Sequence, residues 1–281
     1  MKTVLITGCS SGFGRLTAEL LAKNGMYVLA AMRNTTGSNR GVADKLSAKE
    51  NIEVFELDLS SVDRIQKLAG ISIQKNVEIL INNAGVAGVG LSELHEVEKM
   101  KKIFDVNVFG TYELTRNIIP FFRTKKSGLI ITVSSIIGRI VMPNWAAYSA
   151  SKFALEALAE TWRFELAPLG IESVIIEPGP HPTTGMGAKM GAYSAEMPAM
   201  EIFQQYGPVA GAIQQFHQQL QKDMENGNYQ KPETFAEAMF NLIQKPQGQR
   251  PFRTVVDKQL EKVLTSLNNY TDEMYKQMFM S

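Results

Sequence analysis

Short runs of consecutive apolar, often β-branched residues alternate along this chain with longer stretches in which apolar positions recur every three or four residues. The runs lie at 3–7, 27–31, 52–57, 79–82, 129–134, 173–177 and 253–256. Several are apolar on successive positions, the pattern of strands covered on both faces. Helical periodicity fills 12–24, 61–75, 92–104, 105–124, 148–168 and 232–244. This repeated alternation predicts an α/β fold: a Rossmann-type, doubly wound parallel sheet of about seven strands with helices on both faces. Crossovers in such sheets are right-handed.

Three stretches stand outside the pattern. Residues 37–41, Gly-Ser-Asn-Arg-Gly, read as a polar loop. Residues 180–230 begin Pro180-His181-Pro182, are rich in Met, Gln, Gly and Ala, and carry a Gln-rich helical pattern over 213–224. A long excursion between two strands predicts a substrate lid within one domain spanning 1–281 rather than a second domain. Residues 257–281 read as a C-terminal helical extension, with the helix over 257–279.

Composition narrows the function classes. Among 281 residues, 20% are charged and the net charge is +1, so there is no basic field to bind nucleic acid. Cys9 is the only cysteine, which excludes an internal disulfide. His95, His181 and His217 lack the close spacing of metal ligands, and no metal is expected. No run approaches the ~20 apolar residues of a membrane span. The opening run is too short for a secretory signal, so the expected address is the cytoplasm.

The first strand is followed by Thr7-Gly8-Cys9-Ser10-Ser11-Gly12-Phe13-Gly14 and then a helix. Gly8 permits a tight turn, Gly12 lets the backbone approach a pyrophosphate, and Gly14 lets helix and strand pack closely. A helix N-terminus offers N–H groups and a partial positive charge to phosphates. Cys9 reads as a small packing residue. The spacing GxxxGxG resembles the short-chain dehydrogenase/reductase family.

Further motifs carry the same resemblance over about residues 1–185. Asn82-Asn83-Ala84-Gly85 closes the fourth strand, Asn107 lies early in the helix 105–124, and Ser135 precedes Tyr148 by 13 residues. Tyr148-Ser149-Ala150-Ser151-Lys152 is the YxxxK motif. Pro178-Gly179 follows the sixth strand, and Thr183 falls at the threonine of the family's PGxxxT pattern. The resemblance implies a catalytic set of Asn107, Ser135, Tyr148 and Lys152. It also implies dinucleotide contacts from Gly8, Ser10, Ser11, Gly12, Phe13, Gly14, Asn83, Ala84, Gly85, Tyr148, Lys152, Pro178, Gly179 and Thr183. Asp58, followed by Leu59, matches the family's adenine-contacting aspartate; an ordinary helix N-cap is the alternative. The Met32-Arg33 pair and the long C-terminal part resemble the branch containing 17β-hydroxysteroid and retinol dehydrogenases.

The residue types suit the chemistry. Tyr148 and Lys152 are four apart on a predicted helix and share a face. A free tyrosine has a pKa of about 10, and a nearby ammonium plus an oxidised nicotinamide is expected to lower it. Ser135 can orient a substrate oxygen. By resemblance, Lys152 also holds ribose hydroxyls, and Asn107 holds a water linking Lys152 to solvent.

The second strand ends without the acid that binds the adenosine 2′-hydroxyl of NAD(H). Arg33 stands there instead, and a guanidinium suits a 2′-phosphate, which favours NADP(H) over NAD(H). Candidates for the substrate pocket are Ile136, Ile137, Met142, Asn144, Trp145, His181 and the stretch 186–200. The expected function is NADP(H)-dependent hydride transfer between the nicotinamide and a small-molecule carbonyl or alcohol. The alternatives are a non-catalytic NADP(H)-binding regulator or scaffold, and an epimerase or dehydratase using the same Tyr/Lys pair. The resemblance further implies a homodimer or homotetramer.

Overall fold

The computed structural model describes residues 1–196 and 200–279. The chain runs β1 (Thr3–Thr7), α1 (Gly12–Lys23), β2 (Tyr27–Met32), α2 (Arg40–Ser47), β3 (Ile52–Glu56), α3 (Val62–Gln74) and β4 (Ile79–Asn82). It continues through α4 (Val97–Phe104), α5 (Thr111–Lys125), β5 (Gly128–Val133), α6 (Ala146–Leu166) and β6 (Ile171–Pro178). The last part holds α7 (Met200–Gln205), α8 (Pro208–Glu225), α9 (Pro232–Gln244), β7 (Arg253–Val256) and α10 (Glu261–Phe279). The seven strands form one parallel sheet in the order β3-β2-β1-β4-β5-β6-β7.

The consecutive apolar runs are explained by this burial. Side chains alternate across a strand, so Val4 and Ile6 of β1 face one side and Leu5 faces the other. The first side packs with Ala18 and Leu21 of α1 and with Phe235 and Met239 of α9. The second packs with Leu68 of α3, Ile118 of α5 and Trp162 of α6. Each such side chain contributes roughly 1.5–3 kcal/mol on burial, so covering both faces holds the sheet together.

Four boundaries differ from the sequence expectation. The 37–41 loop runs into α2, whose Ala43 and Leu46, three residues apart, are buried. Two apolar positions beside Arg, Asp and Lys are too few for periodicity to reveal. Residues 92–104 do not form one helix: Ser92–Leu94 is a short 3₁₀ turn, and Glu96 is extended before α4 begins. From Val97 the helix is continuous to Lys125, passing through a wide π-helical turn at Asp105–Gly110. The Gln-rich segment begins earlier than 213, at Pro208, a residue pre-organised for a first helical turn. Residues 280–281 of the expected extension and 197–199 of the expected pocket stretch lie outside the described residues.

β1 is flanked by β2 on one side and β4 on the other, and the chain direction across the sheet reverses between β1 and β4. The crevice beyond the carboxyl ends of strands at such a switch point is where ligands bind in open α/β sheets.

Candidate active site

A cleft lies at that switch point. Its walls include Gly8, Ser10, Ser11, Gly12, Phe13 and Gly14 from the first loop, Met32 and Arg33 after β2, and Leu57, Asp58 and Leu59 after β3. Asn83, Ala84, Gly85, Val86 and Ala87 close it after β4. The expected dinucleotide residues from the first four strands therefore share one surface.

The glycine loop has the geometry its spacing implied. Gly8 has φ +79°, where a side chain is strained, and an added Cβ would lie 2.8 Å from Ala84 Cα. A Cβ on Gly14 would collide with the Gly8 carbonyl, so α1 approaches the loop only with glycine there. The first turn of α1 opens on the cleft, and N–H groups at a helix start lack intrahelical acceptors. Cys9 is fully buried, and burial pushes its thiol well up, as befits packing rather than nucleophilic chemistry.

Thr7 ties this loop to the loop after β4. Its hydroxyl accepts from the backbone N–H groups of Asn83 at 3.0 Å and Ala84 at 2.9 Å. Asn83 Nδ2 returns a hydrogen bond to the Thr7 carbonyl at 2.7 Å. The sequence reading passed over Thr7. Its signal was available: a hydroxyl residue at a strand end, immediately before the glycines.

Arg33 is exposed on the cleft rim, and its charge helps hold the Asp58 carboxyl below the usual range. Hydrogen bonds from Ser60 N–H at 3.0 Å and Ser60 Oγ at 2.7 Å do the same. Asp58 does not cap α3; Ser61 takes that position and accepts from Arg64 N–H. Glu56 at the end of β3 accepts from the N–H groups of Asn34 and Thr35 at 2.9 and 2.7 Å, which fixes the backbone that carries Arg33.

Behind the wall formed by Gly85, Val86 and Ala87 the four expected catalytic residues gather, none of them lining the cleft itself. Asn107 sits in the π-helical turn, fully buried. Such turns widen a helix and recur at functional positions. Its Oδ1 accepts from Val86 N–H at 2.8 Å, while Nδ2 donates to Val86 O at 2.9 Å and to Ser151 Oγ at 3.0 Å. The amide thus pins the loop that carries Gly85. A Cβ on Gly85 would lie 3.3 Å from Asn107 Oδ1 and 3.6 Å from Lys152 Nζ, so both groups flank that glycine.

Tyr148, Ser149, Ser151 and Lys152 are all buried in the first turns of α6. Lys152 Nζ donates to Val133 O at 2.8 Å and lies 5.7 Å from the centre of the Tyr148 ring. Ser135 lies close enough to the Tyr148 hydroxyl to lower its pKa, and its Oγ accepts from Ile137 N–H at 3.3 Å. Ser134, the preceding residue, faces Gly138 and Glu156 instead, which separates the two serines.

The expected lowering at Tyr148 invokes an ammonium together with an oxidised nicotinamide; the protein groups by themselves act in the other direction. Burial pushes the Tyr148 phenol up to about 12, and the Ser135 hydrogen bond only partly opposes it. Burial also brings the Lys152 ammonium down to about 8, against the pull of Glu156. Desolvation is the larger cause at both groups, because removal from water disfavours the charged form of each.

The segment after β6 departs from the expected register. Thr184, not Thr183, lines the cleft, and its Oγ1 donates to His181 O at 3.0 Å. Thr183 lines an outer depression with Arg15 and Lys231. The offset follows from His181, which is buried edge-on against Phe13 at 4.8 Å with Nδ1 2.8 Å from Gly179 O. His181 is therefore turned from solvent and packs behind Phe13 of the cleft wall without lining the cleft itself. Pro178 reaches the site through its carbonyl, 3.5 Å from Ser135 Oγ, and Gly179 packs on Asp257. Ile136, Ile137 and Ala87 cluster with Tyr148, and Met142, Trp145 and Met190 pack against them. Tyr193 and Met186 cover part of the cleft. Ser194 Oγ accepts from Val89 N–H at 3.0 Å, and His95 Nε2 lies 3.0 Å from Tyr193 O. Those long-range contacts join two segments that no sequence motif linked.

Among the described residues no cluster could hold a metal ion, and no helix is long and apolar enough to cross a membrane.

The family model for short chain dehydrogenases matches residues 2–194. An uncharacterized oxidoreductase of Bacillus subtilis, YusZ, is 36% identical over 186 residues, 65% of this chain; the match spans 66% of that relative, just under two thirds of its length. Human retinol dehydrogenase 8 is 33% identical over 210 residues, 71% of this chain and 66% of the relative. A solved short-chain dehydrogenase from Streptomyces avermitilis superposes with a TM-score of 0.79 at 30% identity, covering 98% of this chain and 97% of that one. Solved structures of the same fold hold NADP in one case and NAD in another. The chain belongs to the short-chain dehydrogenase family.

Proposed function

From that membership we propose that the chain is an NADP(H)-dependent oxidoreductase that interconverts a carbonyl and an alcohol, with Tyr148 as its acid/base residue. The observation that carries the reading is the buried group behind the cleft wall: Ser135 and Tyr148 side by side, with Lys152 5.7 Å from the Tyr148 ring. A non-catalytic binder has no use for a serine aimed at a buried phenol.

The cleft fits a dinucleotide on its own geometry. The glycine loop and the start of α1 offer N–H groups to phosphates. Asp58 and Leu59 form the wall suited to adenine, and Arg33 on the rim offers a guanidinium to a 2′-phosphate. When bound, the cofactor supplies or accepts the hydride, and its oxidised form adds positive charge. Ser135 orients the substrate oxygen. Tyr148 gives its proton to that oxygen in reduction and takes one in oxidation. Lys152 favours the phenolate by its charge. A phenol held near 12 by burial needs this help to work near neutral pH. Pro178, Gly179 and Thr184 stand where a nicotinamide would abut Ser135. The segment 182–194 acts as a lid over the substrate, with Ile136, Ile137, Met142 and Trp145 shaping an apolar pocket. Exposed Phe109, Tyr112 and Phe153, near Asn107 and on α5 and α6, support pairing with a second copy through that face.

The test is fluorescence titration with NADPH and NADH, followed by a ketone and aldehyde panel read by loss of nicotinamide absorbance. Tyr148→Phe is expected to lower turnover on the order of 10²–10⁴-fold while leaving NADPH binding intact. Full turnover in that variant sinks the acid/base assignment.

A further inference from the structure

Three segments, the helix α6 that carries Tyr148 and Lys152 and the strands β6 and β7, converge on a buried group of charges. Glu156 follows Lys152 by one turn of α6, Glu177 precedes Pro178 on β6, and Arg253 lies on β7; their side chains are 4%, 0% and 2% exposed. Arg253 Nε lies 2.9 Å from Glu156 Oε2 and 3.4 Å from Glu177 Oε1, and its Nη2 donates to Glu160 at 2.6 Å. Two buried carboxylates thus face one guanidinium nitrogen. Helix α10 completes the group: Asn268 Nδ2 donates to Glu177 Oε2 at 2.8 Å, and its Oδ1 accepts from Arg139 Nε at 3.1 Å. Tyr275 donates to Glu160 at 3.0 Å. Arg139 itself follows the turn that begins at Ser135.

We propose that Glu156, held in place by Arg253, Glu177 and the α10 residue Asn268, is a positioning residue that keeps Lys152 an ammonium, so that the C-terminal helix tunes the proton donor of the site. This rests on the roles given above to Tyr148 and Lys152. The hydrogen-bond acceptor of Lys152 is a neutral carbonyl, Val133 O, which leaves the buried charge without a directly bonded anion there. Glu156, four residues on and on the same helix face, acts on it through space, both side chains packing against Gly138. Burial pushes the Glu156 carboxyl up, and Arg253 at 2.9 Å opposes that rise and favours the carboxylate. The groups facing Glu156 are Lys152 and Glu160 from α6, Arg139 from the turn after β5, Glu177 from β6 and Arg253 from β7, with Asn268 and Tyr275 from α10. Burial and the Glu156 charge push Glu177 up to about 7, and the Asn268 hydrogen bond opposes that rise. Losing either the Glu156 charge or the Asn268 donor reduces the negative charge near Lys152. Proton loss from the Tyr148–Lys152 couple then becomes easier.

The experiment compares the full-length wild type with Glu156→Gln, Glu156→Asp and Asn268→Leu. Two readouts are followed: the pH dependence of kcat/KM for carbonyl reduction, and ¹³C-lysine NMR titration of Lys152, assigned with Lys152→Met. In Glu156→Gln the alkaline limb and the NMR midpoint are expected to move down by about one pH unit. Glu156→Asp is expected to return both toward wild type, and Asn268→Leu to move both the same way by less. Profiles that superpose on wild type, with kcat lowered equally at every pH, overturn the proposal and leave a purely structural cluster. Should Glu156→Gln not fold, Asn268→Leu decides: no shift overturns the role of α10. An inactive wild type sinks the functional reading instead, and the NMR midpoint still judges the cluster.

Discussion

The two halves of the site are built from different chemistry. Beyond β1 to β4, the floor of the cleft consists of glycines, backbone N–H groups and neutral side chains, with Thr7 and Asn83 stitching two loops together. Its charged members, Arg33 and Asp58, stand on the rim. Beyond β5 to β7, the interior holds Tyr148, Lys152, Glu156, Glu177 and Arg253, all buried. The contrast suits the tasks proposed for them. Holding a phosphate requires fixed dipoles that never change protonation, and backbone geometry supplies them. Moving a proton requires groups that do change, and burial shifts such groups far from their solution values. The first half is therefore sensitive to shape and the second to charge.

The sharpest way to break this contrast is a shape change in the first half. Gly14→Ala, which drives a methyl group into the Gly8 carbonyl, is expected to weaken NADPH binding by on the order of 100-fold in a fluorescence titration. Gly41→Ala in α2 has open space around it and is the matched control, with binding unchanged and a gain of about 0.5–1 kcal/mol in stability. Equal losses in both would mean that the loop's close packing is unimportant.

A smaller effect is expected at the rim. Arg33→Ala should weaken NADPH by about 10-fold, the worth of one charge-assisted hydrogen bond, and leave NADH unchanged. Tighter NADH than NADPH binding in the wild type, unaffected by this substitution, removes the cofactor preference.

The smallest effect tests the charge-sensitive half through stability. Lys152 is held near 8 in the fold, below its value of 10.5 in an unfolded chain. Below pH 8 both states carry the proton and the folded state bears the full burial penalty. Between pH 8 and 10.5 the folded state sheds the proton first, so the penalty fades and this group's contribution to stability rises with pH. Urea unfolding across that window is expected to show a slope of at most about 1.4 kcal/mol per pH unit from Lys152. The slope should vanish in Lys152→Met; its persistence assigns it to another group.

Particular residues show why one half was more legible in the sequence than the other. Gly8, Gly12 and Gly14, and then Asn83-Ala84-Gly85, lie within short spans bounded by a strand and a helix, so spacing alone implied their neighbourhood. The tetrad residues were nameable by order and spacing, and they do come together. Thr183 was placed one position away from Thr184, which lines the cleft, because the path after Gly179 is set by His181 packing on Phe13. The upward push that the protein groups alone exert on Tyr148 was not legible, because a Tyr/Lys spacing carries no information about desolvation.

The sequence by itself determined the parallel sheet, since runs apolar on every residue can only be buried on both faces. It also determined the glycine loop, since close backbone approach excludes a side chain. Tertiary structure alone decided the surroundings of Lys152. Glu156, Glu177, Arg253 and Asn268 are spread over more than a hundred residues and look in sequence like ordinary solvated groups. Their burial around one guanidinium arises only when β6, β7, α6 and α10 pack together, because the energy of a charge depends on what surrounds it in space.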